Sequence, residues 1–125
     1  MAKIKVLMID DDIKFLELVK LNLEDTNEFE VRAETNGSVG LSAAMIFHPD
    51  IIILDIVMGD QDGSSVAKQL KENVKTKDIP IIYLSGILKQ SEEKDPHGFL
   101  GEYPRLAKPA STEKIINCIK NNIKK

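Results

Sequence analysis

Asp10-Asp11, Asp55, Ser85 and Lys108-Pro109 each stand where a short apolar run ends. The runs are Ile4-Lys5-Val6-Leu7-Met8-Ile9, Ile51-Ile52-Ile53-Leu54 and Ile79-Pro80-Ile81-Ile82-Tyr83-Leu84, with Arg105-Leu106-Ala107 as a shorter fourth. If these runs are parallel strands of one sheet, their C-terminal ends share the edge where open α/β sheets bind ligands. Three carboxylates, a hydroxyl and an ammonium then converge on one crevice. Carboxylate oxygens are hard ligands of the kind Mg²⁺ accepts in small number, and crowded like charges need a cation to offset their repulsion. The ammonium and hydroxyl suit the oxygens of a phosphoryl group. Taken singly each residue has a plainer role, as a helix cap or as solvated surface. Their joint placement at four strand ends is what points to a site.

The elements that must position these residues follow from apolar spacing. Ile13, Leu16, Val19 and Leu23 recur at helical intervals after the first run, with Asp12 placed to cap that helix. Phe29-Glu30-Val31-Arg32-Ala33-Glu34 alternates and reads as a half-exposed edge strand. Asn36-Gly37 is a turn, Ser38 a cap for a second helix with Leu41, Ala44, Met45 and His48 on one face, and Pro49 its stop. The Ile51–Leu54 run is apolar throughout, as a central parallel strand covered on both sides should be. Gly59 and Asp62-Gly63 form a loop before a helix bearing Val66, Leu70 and Val74, and Ser111 caps a last helix with Ile116, Ile119 and Ile123 on its stripe. Strand and helix alternate five times, so a doubly wound α/β sheet with helices on both faces is the economical fold. Between Ser85 and Lys108, Gly86, Pro96, Gly98, Gly101 and Pro104 restrict any helix to residues 87–95.

Composition narrows the function classes. A chain of 125 residues is read as one domain, 1–125. Its net charge of −3 argues against a nucleic-acid surface, which is normally basic. Lys68, Lys71, Lys75 and Lys77, and the terminal Lys120, Lys124 and Lys125, read as solvated faces. Cys118 is the one cysteine, which suits a reducing cytosol and a half-buried structural thiol. No apolar run approaches the ~18 residues of a membrane span. A strand so close to Met1 leaves no room for a signal peptide, so a cytoplasmic protein is expected.

At these residues the chain resembles the receiver domain of two-component response regulators, in particular the stand-alone, chemotaxis-regulator-like kind. The resemblance rests on Asp10-Asp11, Asp55, Ser85 and Lys108-Pro109 and covers essentially the whole chain. It implies a flavodoxin-like sheet of five parallel strands in the order 2-1-3-4-5. It implies that Asp55 accepts a phosphoryl group from the phosphohistidine of a sensor kinase or phosphotransfer protein, with Mg²⁺ alongside. Asp11 becomes a direct metal ligand, Asp10 an outer or water-mediated one, and the Val57 carbonyl a further ligand. Lys108 pairs with a phosphoryl oxygen, and Ser85 bonds the group once attached, switching a surface near residues 86–108 toward a downstream protein effector. Such a protein is a phosphoacceptor regulator rather than an enzyme.

Two positions depart from the family pattern. Gly59 follows Met58 where the family usually has proline, and Arg105 stands where it usually has Tyr or Phe. An arginine cannot bury its charge as a ring buries its face, so Arg105 is expected at the surface and the response to phosphate in residues 86–104. Three rival readings fail on residues. A haloacid-dehalogenase-type phosphatase needs a second carboxylate where Val57 stands. An EF-hand register at Asp60-Gln61-Asp62-Gly63 would make Met58 and Gln69 ligands. Flavin binding needs Ser, Thr and Gly loops rather than carboxylates. A receiver-like interaction module that works without phosphate stays open as the alternative. His48 and His97 are read as structural or solvent-exposed.

Overall fold

Runs of Ile, Val and Leu without polar interruption become central strands because both of their faces can be covered. The computed structural model describes residues 2–58, 62–85, 104–108 and 110–123, the Ser85 side chain excepted. Among them are strands β1 (Ile4–Ile9), β2 (Phe29–Glu34), β3 (Ile51–Asp55), β4 (Ile81–Ser85) and β5 (Arg105–Ala107). They form one parallel sheet in the order β2-β1-β3-β4-β5, as expected. Helices α1 (Ile13–Asp25), α2 (Gly40–Phe47), α3 (Gly63–Glu72) and α4 (Thr112–Asn122) complete the described elements. No described helix is long and apolar enough to cross a membrane.

Side chains alternate across the pleat, so each strand feeds two cores. Val6, Met8, Phe29, Val31, Ile51, Ile53, Ile82 and Leu84 pack with α1 and α4 on one face. Leu7, Ile9, Ile52, Leu54, Ile81 and Tyr83 pack with α2 and α3 on the other. A slip of one residue in any pairing would exchange these sets, which is why the register is fixed. Ile9 lies opposite Leu54, Asp55 opposite Leu84, and Ser85 opposite Ala107. The four sequence motifs therefore leave the sheet along one edge.

Several helix assignments need correction. Leu16, Val19 and Leu23 are buried on α1, but Ile13, its first residue, is 56% exposed, and Phe15 in that turn packs on the core instead. Ser38 lies in a short 3-10 turn, Gly37–Val39, and Val39 rather than Ser38 precedes α2. The buried residues of α2 are Gly40, Ala43 and Ala44; of the expected stripe, Ala44 is buried, Leu41 packs half-buried on the core, Met45 is half-buried and His48 is exposed. His48 is exposed and ends α2 in the left-handed region, φ 54°, just before Pro49. Gly63 opens α3 instead of lying in the loop, with the Ser65 N–H donating to the Asp62 cap at 2.8 Å.

The C-terminal end of α3 also differs. It stops at Glu72, leaving Val74 beyond it and 75% exposed. The buried residue of the following turn is Thr76, whose hydroxyl donates to the Leu70 carbonyl at 2.6 Å. On α4 Ser111 caps as expected, but Ile115 and Ile119 are the buried pair, and Ile116 and Ile123 are half-buried. β4 begins at Ile81 because Pro80 has no N–H to give, although its carbonyl accepts from Ile52 at 2.9 Å. Cys118 is half-buried, as expected. The helix expected over residues 87–95 lies outside the described residues.

Two glycines mark where helices press on the sheet. A Cβ on Gly63 would sit 2.3 Å from the Asp55 carbonyl oxygen and 2.8 Å from the Ile56 Cα, both fixed backbone. On Gly40 it would meet only the ends of Ile9 and Val66, at 3.0 Å. Gly63→Ala should therefore destabilise the fold by about 1–3 kcal/mol, as overpacking does. Gly40→Ala should cost less, since side-chain tips can shift and alanine favours the helix by up to ~1 kcal/mol. Urea denaturation of both variants checks the order, and an equal loss would contradict it.

Candidate functional site

Strand β1 ends in Ile9 and delivers Asp10 fully buried, while the next residue, Asp11, is exposed. Strand β3 carries Asp55 as its last residue, 4% exposed. One carboxylate oxygen from each of Asp10, Asp11 and Asp55 lies within 4.8 Å of the others. Lys108 follows β5 and reaches back across the edge, with its Nζ 2.5 Å from Asp10 Oδ2 and 3.7 Å from Asp55 Oδ2. The nearer contact is charge against charge, because Asp10 Oδ2 accepts no well-directed hydrogen bond from the described residues.

The inner oxygens are held by backbone. Asp10 Oδ1 accepts from the Asp12 N–H at 2.9 Å, and Asp55 Oδ1 accepts from the Val57 N–H at 3.3 Å. Each aspartate thus turns back on the N–H two residues ahead, the local turn aspartate favours. Burial pushes the Asp55 carboxyl up from 3.8 to about 6, and the nearby Asp10 adds to the rise. Lys108 and the Val57 N–H oppose it.

Three carboxylates against one ammonium is a donor set that fits a hard divalent cation. Two of them are buried and must otherwise repel each other. Asp10 has one oxygen on the Asp12 N–H and the other on Lys108, so both are engaged by the protein.

The structure brings together Asp10, Asp11, Asp55 and Lys108. Val57, two residues past Asp55, is 69% exposed. Ser85 ends β4 next to the strand that carries Asp55, and its side chain lies outside the described residues, as do Pro109 and Gly59. Arg105 is half-buried in β5, opposite Tyr83. Most of the expected switch surface, residues 86–103, lies outside the described residues, as does His97. Sequence reasoning missed Phe15, whose ring lies under the Lys108 ammonium, 4.8 Å from Nζ to centroid. It also missed why Gly63 must be glycine; the Asp-Gly pair ahead of a helical stripe was the available signal.

Known proteins fit this geometry. Residues 6–120 match the family described as the response regulator receiver domain. The chain is 33% identical over 122 residues to the nisin biosynthesis regulatory protein NisR of Lactococcus lactis subsp. lactis, covering 97% of this chain and 51% of that protein. It is 32% identical over 112 residues to the DNA-binding dual master transcriptional regulator RpaA of Synechocystis, covering 90% and 46%. The chain thus spans about half the length of these curated relatives. The Vibrio cholerae chemotaxis protein CheY4 superposes with a TM-score of 0.85 at 28% identity, covering 96% of this chain and 98% of that one. The receiver domain of the Francisella response regulator 1452 does so with a TM-score of 0.79 at 25% identity, covering 95% of each.

The raised Asp55 carboxyl sets a pH dependence. Its folded value of about 6 exceeds the ordinary 3.8, so the fold prefers it protonated. Metal-free stability is then undiminished below pH ~4 and falls as pH rises through about 6. Asp55→Asn removes the penalty. In chelator its melting temperature should exceed the wild type's at pH 7.5, by the equivalent of at most about 3 kcal/mol, and the gain should shrink toward pH 4. A gain independent of pH would contradict the assignment.

Proposed function

Because this chain belongs to the response regulator receiver domain family, we propose that Asp55 is the phosphoacceptor of a two-component signalling step. The observation that carries the reading is a buried carboxylate at the end of the central strand β3, set between Lys108 and two further aspartates. An Asp55 oxygen attacks phosphorus while the bond to the phosphohistidine nitrogen of a sensor kinase or phosphotransfer protein breaks in line. Lys108 takes a phosphoryl oxygen and stabilises charge during transfer. Asp11 and Asp55 would hold Mg²⁺ directly with the Val57 carbonyl, and Asp10 would support it from outside. Bound there, Mg²⁺ offsets the charge that the incoming phosphoryl oxygens add to the carboxylates.

Ser85, at the end of β4, bonds the phosphoryl group once it is attached and passes the change toward residues 86–108. The output goes to a downstream protein effector from a cytoplasmic receiver spanning 1–125. The domain acts as a regulator, with at most self-phosphorylation from small donors and slow loss of the group.

Acetyl phosphate with Mg²⁺ should add one phosphoryl group to the wild type and none to Asp55→Asn, and omission of Mg²⁺ should abolish the gain. Intact-mass spectrometry reads this directly. Equal incorporation by both proteins overturns the acceptor, and none by either favours the phosphate-independent interaction module.

The exposed Val57 side chain governs how long the group persists. Hydrolysis needs a water in line with the new bond, and valine cannot hydrogen-bond that water. Val57→Asn can, and one added hydrogen bond of about 1 kcal/mol predicts about fivefold faster dephosphorylation. Decay of the phosphorylated mass peak measures it, and an unchanged or slower rate contradicts the argument.

A further inference from the structure

A lysine stem is long and freely rotating, so an ammonium that must meet a reacting group needs more than attraction to hold it in place. Lys108 has two carboxylates at unequal distance, 2.5 Å to Asp10 and 3.7 Å to Asp55, and it leans toward Asp10. Its third neighbour is the Phe15 ring, 4.8 Å from Nζ to centroid. Phe15 is half-buried in the first turn of α1 and packs on the core beneath that helix.

The contacts close a circuit. The Asp12 N–H donates to Asp10 Oδ1 at 2.9 Å, and the Phe15 N–H donates to Asp12 Oδ1 at 3.1 Å. The Phe15 ring faces the ammonium, and the ammonium returns to Asp10 Oδ2. The N–H of residue 15 would serve with any side chain except proline. The link from residue 15 to the ammonium requires an aromatic face.

We propose that Phe15 is a positioning residue for Lys108, its ring holding the ammonium over the crevice between Asp10 and Asp55. The proposal rests on reading Lys108 as the partner of the phosphoryl group. A divalent cation among Asp10, Asp11 and Asp55 would claim the charge of those carboxylates and repel a neighbouring ammonium. The ring is neutral and no ligand for a hard cation, so its attraction through the quadrupole survives when the carboxylates are claimed. Phe15 touches no reacting atom and acts only through Lys108.

Two readouts separate this placement from plain packing and from the function reading itself. Phe15→Leu keeps apolar bulk without a π face, and Phe15→Tyr keeps the face. In the metal-free protein the Lys108 ε-CH₂ protons, assigned by their loss in Lys108→Arg, should be shifted upfield by the ring. That shift should vanish in Phe15→Leu and persist in Phe15→Tyr. With acetyl phosphate and saturating Mg²⁺, Phe15→Leu should lower the maximal rate of Asp55 phosphorylation about three- to tenfold, the scale of one partly desolvated cation–π contact. Half-saturation by the donor should barely change, and Phe15→Tyr should keep the wild-type rate. Thermal melts of both variants confirm that they are folded at the assay temperature.

A wild-type rate in Phe15→Leu, or equal slowing in both variants, overturns the positioning role. A Lys108 signal that does not move between wild type and Phe15→Leu overturns the placement whatever the activity. If the wild type takes no phosphoryl group the function reading falls, and the ring-current result still decides whether Phe15 holds the ammonium.

Discussion

Asp10 and Asp55 are held nearly out of water at the ends of neighbouring strands, with one ammonium, Lys108, between their outer oxygens. Buried charges are tolerated only when paired and hydrogen-bonded. The fold meets part of that demand with backbone, since each aspartate accepts from the N–H two residues ahead of it. What remains among the described residues is two carboxylates facing one cation, with Asp11 adding a third negative group at the rim. Burial, with the neighbouring Asp10 charge adding to it, raises the Asp55 carboxyl to about 6. A site that is short of positive charge when empty is the kind that takes up a cation readily.

The sheet exists in the form this pairing needs. β1 and β3 are adjacent and parallel, and the Ile9 to Leu54 register brings the residues after them side by side. The same register divides the apolar side chains between two cores, so moving the aspartates apart would also turn both faces inside out. Gly63 adds a further constraint, because α3 starts so near the Asp55 and Ile56 backbone that no Cβ fits between them. The glycine therefore sets how close the helix comes to the strand end that carries the carboxylate.

Much of this was legible from the sequence because the decisive signals are local. Uninterrupted runs such as Ile51–Leu54 declare central strands, and the polar residues after them declare the edge. The caps Asp12 and Ser111 were legible for the same reason. The failures occurred where packing overrides local pattern. Leu41, Ala44, Met45 and His48 form a plausible apolar stripe, yet α2 buries Gly40 and Ala43 beside Ala44 and leaves His48 exposed. Val74 continues the spacing of Val66 and Leu70, but the chain leaves the helix at Asn73 and buries Thr76 instead. Phe15 falls outside the Ile13, Leu16, Val19 and Leu23 stripe, and only the path of Lys108 from the far end of the chain brings an ammonium over its ring.

That path has a mechanical consequence. β5 is three residues long and, among the described strands, pairs only with β4. Its end is also tied by Lys108 to Asp10 of β1, across the two intervening strands β3 and β4. An edge strand with so few ladder bonds draws a large share of its local order from such a tie. A ligand that takes up the charge of Asp10 and Asp55 weakens the hold of both on the ammonium. One that offers new oxygens redirects the ammonium toward itself. Either change would bear first on Lys108, which continues β5 without an intervening loop. The Lys108–Asp10 pair thus ties the edge strand to the centre of the sheet while offsetting part of the buried charge.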